Sequence, residues 1–211
     1  MIDEPEDDEN QSFHVENTSI KLIRGEGDGW LTGQLLVAMP NMIDPNFTKT
    51  VIYVCSHSPN GAMGIVVNRL YGQADFDMLL DQLNITTSLN TPDLDIHYGG
   101  PVEQGRGFVL HSTDFVREGT VQIDDDYALS ATVEILQAIA DGDGPSRLVL
   151  ALGYSGWGAG QLESEIKANG WLVAPADDAL LFGEDIDTKW ERALAKIGIT
   201  PLLLSGDVGH A

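Results

Sequence analysis

At 211 residues and 43% hydrophobic content, the chain can bury one sizeable core and is too short for more than a domain with an appendage. Its 33 acids against 11 bases give a formal net charge of −22, which disfavours direct binding to nucleic-acid phosphates or anionic lipid heads. A single cysteine excludes an intrachain disulfide and no apolar run reaches membrane-spanning length, so a soluble cytoplasmic protein with no membrane partner is expected.

Residues 1–12 carry six acids and almost no apolar groups. They cannot offset the entropy of ordering and read as a disordered acidic tail, leaving 13–211 as one domain. After the turn cluster Gly25-Glu26-Gly27-Asp28-Gly29, three short apolar runs at 35–39, 50–55 and 63–67 predict strands. The loop at 40–47, punctuated by Pro40 and Pro45, holds Met42, Ile43 and Phe47 and is expected to pack against the body. Pro59 and Asn60-Gly61 let the chain reverse between the second and third strands. A hairpin results that displays His57 and Asn60 at its turn and Asn68 and Arg69 at its exit.

Phe76, Leu79, Leu80 and Leu83 then predict a helix over 74–83, with Asp75 as its cap. Short strands follow at 95–98, 107–111 and 120–123, and their succession without helices favours antiparallel pairing. Leu129, Val133, Leu136 and Ala140 form the stripe of a helix over 129–140, and the unbroken apolar run 148–152 predicts a central strand covered on both faces. A glycine-rich stretch at 153–160 leads to a helix over 161–169 closed by Gly170, and then to a strand at 171–174. Thr188 and Glu191 have capping-box spacing for a last helix that buries Trp190, Leu194 and Ile197 and stops at Gly198. Hairpins early and strand–helix units late predict an α+β fold and not a doubly wound sheet.

Strand, glycine loop, helix can cradle an anion on backbone N–H groups. Here no GK[ST] follows and the spacing is not GxGxxG, so close packing beside Tyr154 and Trp157 accounts for the glycines better. Ser155 lacks the glycine two places on that a nucleophile elbow requires, because Trp157 stands there. On the helix that follows, Leu162 and Ile166 make the buried stripe, which sends Glu163 and Glu165 to opposite flanks, Gln161 sharing the flank of Glu165. Solvated flanks are the plainer reading of both acids. Asp93, Asp95 and His97 alternate on one strand face as a conceivable metal corner, but an edge strand with its polar face in water is simpler. Cys55 reads as a buried apolar residue rather than a nucleophile. No metal and no cofactor are expected.

Four segments, LTGQLLVAMPNMIDPNFTKTVIYVCSHSPNGAMGIVVNR, HYGGPVEQGRGFVLHS, ALGYSGWGAGQLESEIKANGWLVAP and the terminal GHA, resemble in their order the bacterial YqgE/AlgH family. The resemblance implies a bent, mixed, partly barrel-like β-sheet flanked by helices in a single domain. It also carries an association with transcriptional regulation, without implying any catalytic residue. The motif positions are Asp44, Phe47, His57, Gly61, Gly64, Asn68 and Arg69; then Gly99, Gly100, Pro101 and His111; then Gly153, Tyr154, Gly156, Trp157, Gln161 and Glu163. Leu70 and Ser155 depart from residues common in relatives.

The functional expectation is small-molecule or peptide binding in a surface cleft lined by His57, Asn60, Asn68, Arg69, Tyr154, Trp157, Gln161 and Glu163. Arg69 would contact an anion and Trp157 would form a stacking or apolar wall. The alternative is a regulatory protein that acts through protein partners.

Overall fold

The structure, a computed structural model, describes residues 30–86 and 91–200. The expected acidic tail at 1–12 and the glycine cluster at 25–29 lie outside the described residues. Among the described residues, ten strands form one curled sheet: β1 (Gln34–Ala38), β2 (Val51–Ser58), β3 (Gly61–Val66), β4 (Leu70–Asp75), β5 (Asp95–Tyr98), β6 (Val102–Ser112), β7 (Val121–Gln122), β8 (Tyr127–Ser130), β9 (Leu148–Gly158) and β10 (Trp171–Pro175). The helices are α1 (Phe76–Gln82), α2 (Val133–Ala140), α3 (Gln161–Lys167), α4 (Asp178–Leu181) and α5 (Lys189–Lys196), with a 3₁₀ turn at Ile186–Thr188 before the last. The fold is α+β, as expected.

The strand order is β10-β1-β2-β3-β9-β6-β8-β7, with β4 on β5 and β5 on β9. All pairings are antiparallel except β5 with β9, which departs from the all-antiparallel expectation for the middle of the chain. The 11-residue strand β9 joins the two halves of the sheet. Its first part pairs β5 and β6, and its last four residues pair β3. A change of partner along one strand needs a bend. Gly153 supplies it at φ 73°, and its added Cβ would stand 2.5 Å from the Gly100 carbonyl oxygen. Gly99 meets the other side of the same crossing, 2.1 Å from the Gly153 oxygen. These glycines are therefore required by backbone touching backbone. The expected loop at 153–160 is strand as far as Gly158 and offers no anion cradle.

The unbroken apolar runs follow from burial on both faces. Leu35, Val37, Tyr53, Ile65, Phe108, Leu110, Val149 and Ala151 point into one interior cluster shared with Trp190 and Leu194 of α5. Their alternates go outward beneath helices. Leu36, Ile52, Val54 and Val66 pack under α3 through Leu162, while Val109, Leu150 and Leu152 pack under α1 and α2. One interior cluster fed from both halves is what makes the sheet barrel-like.

Four sequence expectations need correction. Leu129 belongs to β8, paired opposite Leu110, so the helix starts at Val133. The stretch 70–75 is a strand held by β5 alone, too polar to show as a run. Thr188 makes no side-chain cap; its hydroxyl donates to the Asp185 carbonyl, because a 3₁₀ turn already leads into α5. Asp93, Asp95 and His97 do not share a solvated edge, since β5 lies between β4 and β9 and His97 is buried. Asp75 does cap α1, accepting from the Met78 N–H at 2.8 Å.

Candidate functional site

Helix α3 organises the candidate site. It begins after Gly160, whose φ of 72° turns the chain off β9, and it ends where Gly170 enters β10. Trp157 and Trp171 therefore bracket the helix on two strands, and their rings meet edge to face at 6.0 Å. Both indoles donate to one oxygen of Glu165, at 2.9 Å from Trp157 and 2.8 Å from Trp171. The other oxygen accepts from the Gln161 amide at 2.9 Å, and the Gln161 carbonyl takes the Gly158 N–H at 3.0 Å. The Glu165 carboxylate thus accepts from three neutral N–H donors.

Facing these residues across a cavity of about 320 Å³ stands the 40–48 loop, which contributes Met42, Asp44 and Phe47. Phe47 packs edge-on to Trp171 with centroids 5.4 Å apart, so the loop is docked as expected. The frame of that loop is Asn68-Arg69. The Arg69 guanidinium donates to the carbonyls of Pro45 at 2.8 Å, Asn46 at 3.0 Å and Thr48 at 2.6 Å. Asn68 donates to the Lys49 carbonyl at 2.8 Å and accepts from the Val51 N–H at 2.7 Å. Both residues hold one wall of the cavity without lining it. Arg69 also borders two more open grooves, one with Leu70, Tyr71 and Tyr98 and one with Asp95, Glu184, Asp185 and Asp187.

The opposite flank of α3 is built differently. His57 is not displayed at the hairpin turn. The turn is only Pro59-Asn60, and His57 pairs opposite Ala62 inside β2 with 1% of its surface exposed. Its Nδ1 accepts the Leu31 N–H at 3.1 Å, so Nε2 carries the proton and donates to Glu163 at 3.2 Å. Trp30 covers the ring edge-on at 4.9 Å. Glu163 and Glu165 thus occupy opposite flanks, as helical periodicity requires, but neither is merely solvated. Asn60 lies exposed in the turn, its N–H on the Ser58 hydroxyl at 3.2 Å.

Tyr154 packs edge-on against Phe108 in the interior at 5.7 Å, while Trp157 lies in the cluster beneath α3. Three residues apart on one strand means opposite faces. The expected lining of one surface cleft by Tyr154, Trp157 and residues of 57–69 is therefore replaced by a smaller grouping. Trp157 and Gln161 line the cavity, and Asn68 and Arg69 stand behind it. Sequence reasoning passed over Trp171, Glu165 and Met42 as site residues. The available signal was a tryptophan at each end of a short helix whose flank carries Gln161 and Glu165 four apart.

Elsewhere, buried polar groups serve the scaffold. Ser130 bridges His111 Nε2 at 3.0 Å and the Thr120 hydroxyl at 2.9 Å. Ser155 is fully buried, its hydroxyl on the Gly99 carbonyl at 3.4 Å. Burial pushes the Cys55 thiol well above its ordinary value, which leaves it inert as a nucleophile. Lys189 is fully buried, donating to the Val67 carbonyl at 3.0 Å and the Leu181 carbonyl at 2.9 Å. Desolvation, with some repulsion from Arg192, lowers its pKa to about 8. Desolvation and then the charge of Lys189 lower that of His97 to about 4, and His97 Nδ1 has no hydrogen-bond partner among the described residues. Among the described residues, no three His, Cys, Asp or Glu side chains gather in a metal-binding group.

An AlgH-like family profile matches residues 35–202. A UPF0301 protein of Rhodospirillum rubrum is 52% identical over 184 residues, spanning 87% of this chain and 96% of its own. Another, from Afipia carboxidovorans, is 55% identical over 193 residues, 88% of this chain and 92% of its own. The solution structure of the AlgH protein from Pseudomonas aeruginosa superposes with a TM-score of 0.72 at 39% identity, covering 90% of this chain and 100% of that one. A crystal structure from Corynebacterium diphtheriae, 20% identical with a TM-score of 0.66, covers 87% and 94% and shares the fold. No helix among the described residues is long and apolar enough to cross a membrane.

Proposed function

This chain belongs to the AlgH-like family, and from that premise we propose that it is a binding protein whose ligand, a small molecule or short peptide, occupies the cleft between α3 and the 40–48 loop. The observation that carries the reading is the set of aromatic walls around a cavity of about 320 Å³, Trp157 and Trp171 fixed by the Glu165 carboxylate and Phe47 packed on Trp171. That size falls at the small end of ligand sites, which are typically about 300–1,000 Å³ and mostly apolar with a few placed polar groups. The walls are held from behind by Arg69 and Asn68, so the space does not depend on a ligand to form it.

A thermal-shift screen of the full chain against metabolites and short peptides tests the reading. Binding to the folded state raises the melting temperature by mass action, and substituting Trp157→Phe, which removes one indole donor, should shrink the shift. A screen in which nothing stabilises the protein would remove the cleft reading. The second reading is a regulatory role through a protein partner, and one observation favours it: Ile43, 94% exposed, stands on the same loop. Capture of one specific partner that Ile43→Ser abolishes would support it. Direct DNA binding requires a gel shift that survives physiological salt, and the charge of −22 predicts none.

A further inference from the structure

We infer that the ligand of the cleft is a small alkylated ammonium, a tertiary or quaternary amine; the inference rests on the cleft reading above and narrows it. The first ground is charge. Two carboxylates, Asp44 and Glu165, line the cavity, and among the described residues no Lys, Arg or His lines it. The chain as a whole carries −22, so the long-range field also draws cations in and turns carboxylates and phosphates away. An anion placed there would lose its hydration to two fixed negative charges.

The second ground is the walls. Phe47, Trp157 and Trp171 line the cavity, and aromatic rings attract cations, tryptophan most strongly. Each indole N–H is spent on the Glu165 carboxylate, which polarises the ring and raises the electron density on its face.

The third ground separates alkylated from bare ammonium. Most of the polar side-chain atoms of the lining already have partners, Asp44 Oδ2 being the exception. Glu165 accepts three N–H groups, Gln161 uses both its amide nitrogen and its oxygen, and Asp44 Oδ1 takes the Asn46 N–H at 2.9 Å. A primary ammonium brings three donors and a guanidinium five, more than the one side-chain oxygen without a partner, Asp44 Oδ2, can meet. A trimethylammonium group brings positive charge and apolar surface and asks for no hydrogen bond.

Calorimetric titration of the full chain compares choline with 3,3-dimethylbutan-1-ol, which has the same shape without the charge. The expectation is binding of choline about tenfold tighter than the alcohol at low salt, with the advantage shrinking as salt is added. Asp44→Asn keeps the oxygen that accepts from Asn46 and removes only charge. It should cut choline affinity about threefold while leaving the alcohol and the melting temperature unchanged. Equal affinity for the two probes would overturn the ammonium assignment and leave the cleft standing. So would displacement of either probe by a carboxylate or phosphate. A trimethyllysine peptide that binds far more tightly than free choline would overturn the small-molecule source. Failure of both probes to bind at millimolar concentration would overturn the inference, and the cleft reading would fall with it only if the wider screen also found no ligand.

Discussion

Two side chains of opposite charge are drawn away from water, and the protein treats them differently. Glu165 sits at the rim of a cavity and receives three neutral side-chain donors from a single local segment. Lys189 sits in a dry interior against two backbone carbonyls, with His97 close enough to feel its charge. Neither Lys189 nor His97 lines the cleft or the two grooves that Arg69 borders, and Lys189 ties α4, α5 and the end of β3 together. A shifted pKa marks the scaffold here, while the candidate site is marked by satisfied charge next to empty space. Perturbed titration is a guide to function only when a ligand can reach the group.

The sharpest way to break this comparison is to remove a wall. Trp171→Ala deletes a 3%-exposed indole from the cluster beneath α3 and should cost about 3–5 kcal/mol in chemical denaturation, besides abolishing binding in the cleft. Loss of stability with binding intact would show that the indole is core and nothing more.

Next in size is the pH response of the lysine region. Folded His97 titrates at about 4, below the ordinary 6.5. Between those values the unfolded chain binds a proton that the folded chain refuses, so stability falls as pH drops through the window. The loss is on the order of 3 kcal/mol. His97→Gln should flatten that limb relative to the parent protein, the difference between the two curves isolating the imidazole from the many carboxylates. Lys189, at about 8 against 10.5, has the same sign at the alkaline end, where stability rises as pH climbs between those values. Identical acid limbs in both proteins would contradict a dry His97.

Glu165→Gln should cost about 1–2 kcal/mol. The new oxygen can still accept from the indoles, but the new amide faces the Gln161 amide, donor against donor. Ligand binding should weaken along with it. Glu163→Gln, on the other flank, should cost under about 1 kcal/mol, since His57 Nε2 can donate to an amide oxygen and Glu163 is 39% exposed. It should leave the cleft untouched. A Glu163 variant that impaired ligand binding as much as the Glu165 variant would erase the distinction between the flanks.

What could be read from the sequence follows the same division between local and distant. Helical period placed Glu163 and Glu165 on opposite flanks and the Asp75 cap on α1, because those relations lie within a few residues. The runs at 35–39, 50–55 and 63–67 gave strands because burial on both faces leaves an unmistakable apolar stretch. His97 was misread because the β4 edge and Lys189 that cover it arrive from distant parts of the chain. Arg69 was read as an anion contact because a guanidinium in a loop exit looks available. Its three carbonyl partners lie more than twenty residues away in sequence. Glu165 is a different kind of miss, since its indole donors are only 8 and 6 residues away. Period shows which flank a side chain takes, and not what stands opposite it.

The four indole N–H signals offer the most direct measurement. In a nitrogen-15 spectrum of the full chain titrated with choline, the account predicts that Trp157 and Trp171 shift together in a saturable way. Trp30, over His57, and Trp190, whose N–H is held by the Ala38 carbonyl, should stay fixed. Saturable binding that moved Trp30 or Trp190 and left the Glu165 pair unchanged would place the ligand elsewhere and contradict it.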